Sequence, residues 1–240
     1  MHGTNPVARK RAAVDGLKVH SIFHTIQGEG PEAGTPALFV RFAGCNLRCY
    51  FCDTDFAEGE VYSPADLARR VASLLPTHQQ HRIVLTGGEP MLQPLAPFVK
   101  ELTSHYGQRN TIDIETAGTV WSDGLQAYWK EIKIVCSPKT PRIHPLVVEH
   151  ARAWKYIIRA GEVDPNDGLP SKATQIGAPI INQLLYRPSA VDVSPSRIYV
   201  QPCDENDVLQ NDANAKEAAN SAMRFGYKLS IQLHKIVGLP

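Results

Sequence analysis

Net charge is what this sequence has least of: 25 Lys and Arg stand against 24 Asp and Glu, leaving +1. A general electrostatic pull toward nucleic acid or an anionic membrane is therefore missing, and neither is expected as a partner. Also missing is any apolar run near the roughly 18 residues that would suggest a membrane-spanning helix. Arg9, Lys10 and Arg11 are not followed by an apolar stretch, so residues 1–16 do not read as a signal peptide and are expected to be a mobile tail. No internal repeat or low-complexity segment is evident. What remains is an ordinary composition, 43% hydrophobic and 20% charged, over 240 residues. That suits one large α/β domain, here residues 17–240, with the cytoplasm as the default location. Five cysteines in that compartment are expected to be thiols or metal ligands rather than disulfides.

Short apolar runs alternate with helix-like stretches. Val19–Phe23 and Leu38–Phe42 read as strands around the glycine-rich Gln27-Gly28-Glu29-Gly30. Ser63-Pro64-Ala65-Asp66 is a helix start, with Leu67, Val71, Leu74 and Leu75 as its buried face. Further strands are predicted at Ile83–Leu85, Thr111–Ile114, Ile132–Val135, Trp154–Ile158, Ile198–Val200 and Lys228–His234. Helices are predicted around Leu95–Tyr106 and Asp207–Arg224. Residues 160–196, rich in Pro, Gly and Asn, form an excursion with one embedded helix. This alternation implies parallel β/α units, whose functional residues gather at the C-terminal ends of strands. About six units are too few for a closed eight-stranded barrel, so the expected fold is an incomplete β/α barrel: an open parallel sheet with flanking helices.

Cys45, Cys49 and Cys52 place three thiols within eight residues, directly after a strand. Three thiolates can hold three irons of a cubane and leave the fourth to a small molecule. Structural zinc, as in a metal-binding interaction module, would need a fourth ligand that no nearby motif supplies. A four-cysteine cluster recruiting Cys136 or Cys203, and plain buried cysteines, stay open on spacing alone.

The pattern Cys45-x3-Cys49-Tyr50-Phe51-Cys52 resembles the signature of the radical S-adenosylmethionine superfamily, and Thr86-Gly87-Gly88-Glu89-Pro90 resembles its second motif. The resemblance implies a 4Fe–4S cluster with one open iron, bound S-adenosylmethionine and an external electron donor such as a flavodoxin or ferredoxin. It places Phe51 and Asp53 beside the adenosyl group, and Gly87, Gly88 and Glu89 beside the methionine amino group.

Four further features resemble the 7-carboxy-7-deazaguanine synthase family: His24–Gly30, Cys52-Asp53-Thr54, Glu115–Gly118 followed by Cys136–Lys139, and the end Leu233–Pro240. That family implies a homodimeric, Mg²⁺-dependent enzyme of queuosine and deazapurine biosynthesis. It converts 6-carboxy-5,6,7,8-tetrahydropterin to 7-carboxy-7-deazaguanine and ammonia, using S-adenosylmethionine catalytically. The resemblance gives Thr54 to Mg²⁺. It gives Glu115, Ser137, Pro138, Lys139, Gln201, Pro202, Cys203 and Asp204 to S-adenosylmethionine. Ile26, Gln27, Gly28, Glu29, Arg41, Thr86, His234 and Pro240 go to the pterin, the last through its carboxylate. A glycyl-radical activating enzyme, which acts on a protein, is the enzymatic rival.

Overall fold

The computed structural model describes residues 16–52, 54–76, 81–105, 111–175, 183–189, 191 and 193–240. The tail, Asp53, Tyr106 and part of the 160–196 excursion lie outside the described residues. In chain order the elements are β1 (Leu17–Ile26), β2 (Pro36–Phe42), β3 (Glu60–Tyr62), α1 (Pro64–Leu74), β4 (Arg82–Gly87) and α2 (Leu95–His105). Then come β5 (Thr111–Thr116), β6 (Ile132–Cys136), α3 (Pro145–His150), β7 (Ala151–Ile158), β8 (Ile198–Pro202), α4 (Val208–Phe225), β9 (Lys228–Leu229) and α5 (Leu233–Ile236).

The nine strands form one sheet in the order β3-β1-β2-β4-β5-β6-β7-β8-β9. From β2 through β9 the neighbours are parallel, while β1 runs antiparallel to both β2 and β3. The first strand is thus half of a hairpin rather than the start of a β/α unit. Alternation along each strand sorts the side chains. On β2, Leu38, Val40 and Phe42 are fully buried in the core with Leu67 and Val71 of α1 and Leu95, Phe98 and Val99 of α2. Each such side chain contributes roughly 1.5–3 kcal/mol of burial. The intervening Phe39 and Arg41 line a cavity on the other face. On β7, Trp154, Tyr156 and Ile158 fill the core, leaving Lys155 and Ile157 to the cavity.

The β1–β2 turn crosses the open face of the sheet. The Gly30 N–H donates to Ser230 Oγ beyond β9 at 2.9 Å, which joins the turn to the far edge and makes the sheet a partial barrel. Glu32 in the same turn pairs with Arg82 at 2.8 Å, Arg152 at 3.3 Å and Lys133 at 3.8 Å, at the starts of β4, β7 and β6. Arg82 also pairs with the buried Asp113. These ions close the end of the barrel opposite the strand ends that carry the site.

The predicted start of α1 is present: Ser63 Oγ accepts from the Asp66 N–H at 3.1 Å, with Pro64 in the first turn. Two predicted elements differ. The Lys228–His234 strand stops after Leu229 because the apolar alternation there points outward, Leu229 and Ile231 being 47% and 41% exposed. Leu233 instead donates its N–H to Gly28 O at 3.1 Å and begins α5. The excursion holds no α-helix among its described residues, only a 3-10 turn at Pro195–Arg197. Among the described residues, no helix is long and apolar enough to cross a membrane.

Candidate active site

The strand ends open into a cavity of about 470 Å³. Its first wall is the loop after β2, which carries the three cysteines. Gly44 takes φ +85°, and its N–H donates to Phe56 O at 2.9 Å. The end of β4 then closes against the loop: Gly88 N–H donates to Phe42 O at 3.1 Å and Glu89 N–H to Gly44 O at 2.9 Å. A Cβ on Gly88 would lie 2.0 Å from Gly44 O, and one on Gly87, at φ +125°, would lie 2.3 Å from Phe42 O. The glycine pair therefore permits the strand end and the cysteine loop to touch backbone to backbone.

All five cysteines are free thiols, and Cys45, Cys49 and Cys52 all line the cavity. Burial, with Glu89 adding to it, pushes the Cys45 thiol up to about 12. Metal uptake must therefore displace that proton, as coordination by a cation does. Cys45 Sγ accepts from the Leu47 N–H at 3.4 Å, and Cys49 Sγ accepts from Gln175 Nε2 at 3.2 Å and Thr174 Oγ1 at 3.4 Å.

The second wall is a row of inward side chains. Register places Arg41 of β2 beside Thr86 of β4. Thr86 Oγ1 donates to Glu115 Oε2 at 3.0 Å, and Gln27 Nε2 donates to Glu115 Oε1 at 3.1 Å. The Arg41 guanidinium lies 5.2 Å from the centroid of the Phe23 ring. Glu29 is bound by Lys155 of β7, by Gln201 Nε2 of β8 at 3.0 Å and by Gln232 Nε2 at 2.7 Å. Burial alone would raise the Glu29 pKa, but Lys155, the Gln232 amide and His234 hold it down at about 2. Across the cavity, Lys139 Nζ donates to Ser137 O at 2.9 Å and sits 5.7 Å from the Phe51 ring centroid. Burial lowers the pKa of this lysine.

The third wall is the end of the chain. Thr25 Oγ1 donates to Pro240 O at 2.8 Å, Leu239 N–H donates to His234 O at 2.8 Å, and Lys235 pairs with Asp204 at 2.6 Å. The Lys235 hydrogen bond is the main reason that Asp204 titrates low, at about 2. His234 packs on Gly28, where a Cβ would meet Nδ1 at 1.9 Å. Replacing Gly28 with alanine is expected to push His234 aside and raise KM about tenfold with normal cluster content, as an overpacking cost near 1.4 kcal/mol predicts. Steady-state kinetics beside iron analysis checks it, and unchanged KM would refute the docking argument.

Most of the residues assigned from the sequence line this one cavity: Ile26, Gln27, Glu29, Arg41, the three cysteines, Phe51, Thr54, Thr86, Gly87, Gly88, Glu115, Ser137, Lys139, Gln201–Asp204, His234 and Pro240. Three lie outside its lining. Gly28 supports His234, Pro138 is set back, and Glu89 is fully buried. Glu89 accepts from Thr116 Oγ1 at 2.7 Å, Ala117 N–H at 2.9 Å and Met91 N–H at 3.0 Å, so it braces the β4 and β5 strand ends. Lys155, Gln232, Thr174 and Gln175 were not anticipated. A lysine inside the apolar run Trp154–Ile158 was a usable signal for the first, whereas the other three sit in segments without periodicity.

The Radical SAM superfamily model matches residues 39–145, from β2 to the start of α3. A 7-carboxy-7-deazaguanine synthase from Rhodospirillum rubrum is 42% identical over 244 residues, covering 99% of each chain. The chain belongs to the 7-carboxy-7-deazaguanine synthase family. Another synthase so named, from Rickettsia prowazekii, is 34% identical and covers 100% of this chain and 96% of its own. The crystal structure of QueE from Escherichia coli superposes with a TM-score of 0.63 at 21% identity, covering 90% of this chain and 93% of that one, which shows the shared partial-barrel fold.

As a radical SAM protein, this member of the synthase family takes a 4Fe–4S cluster and S-adenosylmethionine. The residues present fit the cluster. Three cavity-lining thiols and N–H and O–H donors aimed at two of the sulfurs suit thiolates on separate irons.

Proposed function

We propose that this cavity converts 6-carboxy-5,6,7,8-tetrahydropterin to 7-carboxy-7-deazaguanine with release of ammonia, in the 7-deazapurine pathway that leads to queuosine. The observation that carries this reading is the single cavity lined by Cys45, Cys49 and Cys52, by Gln27, Arg41, Thr86 and Glu115, and by Pro240. Full-length identity to the named synthases supports it. When bound, the cluster and S-adenosylmethionine supply the radical that takes hydrogen from C6 of the pterin.

The chain's own residues bind, orient and enclose. Arg41 offers a planar fork to the pterin carboxylate. The Thr86 and Gln27 bonds to Glu115 fix the Glu115 carboxylate as an acceptor facing S-adenosylmethionine. Thr54 supplies a hydroxyl oxygen to Mg²⁺, a hard cation that accepts neutral oxygen. Lys139, Ser137 and Asp204 face the methionine and adenosyl groups. The segment ending at Pro240 covers the pterin, so water is excluded during rearrangement. The reading includes a cytoplasmic homodimer supplied with electrons by a flavodoxin- or ferredoxin-type protein.

The test is anaerobic reconstitution followed by assay with S-adenosylmethionine, Mg²⁺ and the pterin. Turnover to the deazapurine without a protein substrate is expected, and its absence in cluster-loaded protein would sink the reading. Removing Leu239 and Pro240 is expected to raise the pterin KM about 10- to 100-fold, equivalent to about 1.4–2.8 kcal/mol of lost contacts. An unchanged KM would remove the covering role.

A further inference from the structure

Within its described residues, the 160–196 excursion meets the cysteine loop at Thr174 and Gln175. There Tyr50 N–H donates to Thr174 O at 3.1 Å, Cys49 and Gln175 form an isolated antiparallel bridge, and Thr174 N–H donates to Lys139 O at 3.3 Å. Gln175 is buried, only 6% exposed, and its side chain spans two groups of the loop. Its Oε1 accepts the Arg48 N–H at 2.8 Å, and its Nε2 points at Cys49 Sγ at 3.2 Å. The orientation of the amide follows from chemistry: only the oxygen can accept the Arg48 N–H, so the NH₂ must face the sulfur. Thr174 Oγ1 lies 3.4 Å from both Cys49 Sγ and Lys139 O, so its one O–H is shared between the sulfur and that carbonyl.

A neutral thiol accepts hydrogen bonds weakly, and burying an amide against one gains little. An anionic cluster thiolate accepts them well. When a cluster takes up an electron, negative charge on its sulfurs grows, so a fixed donor favours the reduced form more than the oxidised one. We propose that Gln175, assisted by Thr174, raises the reduction potential of the cluster by hydrogen-bonding to the sulfur of Cys49. The proposal rests on the cluster reading above. It assigns to a segment remote in sequence, 126 residues from Cys49, the tuning of the electron-accepting step.

The experiment is an EPR-monitored redox titration of anaerobically reconstituted protein, with iron and sulfide counted per chain. Gln175→Leu removes the donor. Gln175→Glu keeps an oxygen for the Arg48 N–H but turns a second oxygen toward the sulfur. Both are expected to shift the potential negative, Gln175→Leu by about tenfold in the reduced-to-oxidised ratio, or about 59 mV for one electron. Thr174→Val should shift it less, in the same direction. A purely structural role would lower cluster content while leaving the potential of loaded protein unchanged, and that result overturns the proposal. Should the Gln175 variants fail to hold a cluster, wild-type protein carrying ¹⁵N in its glutamine side-chain amides decides: pulsed EPR of the reduced cluster is expected to show a ¹⁵N coupling, and its absence overturns the proposal. Wild-type protein that takes up no iron or sulfide would instead overturn the cluster reading itself.

Discussion

Lys155→Met is expected to destabilise the protein by about 3–5 kcal/mol at neutral pH, because it leaves the Glu29 carboxylate buried without its cation. Lys155 and Glu29 side chains are 9% and 15% exposed, and Gln201 and Gln232 cannot replace the lost charge. The pH dependence gives the sharper test. In the wild type the Glu29 pKa is depressed from 4.5 to about 2. Its contribution is therefore present above about pH 4.5 and lost as pH falls through about 2, and is on the order of 3 kcal/mol. In the variant, burial raises the pKa above its ordinary value, so stability falls as pH rises beyond that of the unfolded chain. The stability gap between the two proteins should narrow as pH is lowered from 7 toward 4, measured by urea unfolding. Lys155→Met combined with Glu29→Gln should recover part of the loss. If it recovers nothing, the pair is not the source of the effect.

The second large effect is expected from Gly88→Ala. Its Cβ would stand 2.0 Å from Gly44 O and 2.5 Å from Gly44 C, both backbone atoms that cannot swing away as a side chain can. Either the end of β4 or the cysteine loop must move. With an overpacking cost of 1–3 kcal/mol or more concentrated at the loop, iron and sulfide per chain should fall about tenfold or more. Gly28→Ala is the matching control, since its obstacle is the His234 side chain on the opposite wall. Equal cluster content in the Gly88 variant and wild type would show that the loop tolerates the shift.

The parallel strands were legible because their apolar runs are continuous and bounded by turn residues, as at Ile83–Leu85 before Thr86-Gly87. The predicted spans were short at one or both ends, since polar residues such as Arg82 and Glu115 belong to strands whose inner face is wet. The last strand misled for a related reason. Leu229, Ile231 and Leu233 alternate as a strand would, but the alternation faces outward while Gln232 and His234 turn into the cavity. The cysteines, the glycine pair and Arg41 could be placed by pattern. Glu89 lies behind the cavity lining and braces the strand ends, a depth that a motif does not encode. Gln175 left no local trace, since its meaning lies wholly in what it reaches across space.

The turn between β1 and β2 has a consequence for how the molecule is assembled. From β5 to β9 each strand pairs with the one before it in the chain, so the sheet can extend by successive short-range additions. Glu29 must wait for partners 126, 172 and 203 residues downstream. Most of the sheet thus rests on pairings between successive strands, whereas the site rests on contacts between distant parts of the chain. A chain interrupted after β8 would carry the cysteine loop and most of the sheet, yet the turn would lack Gln232 and Ser230 to hold it across the opening.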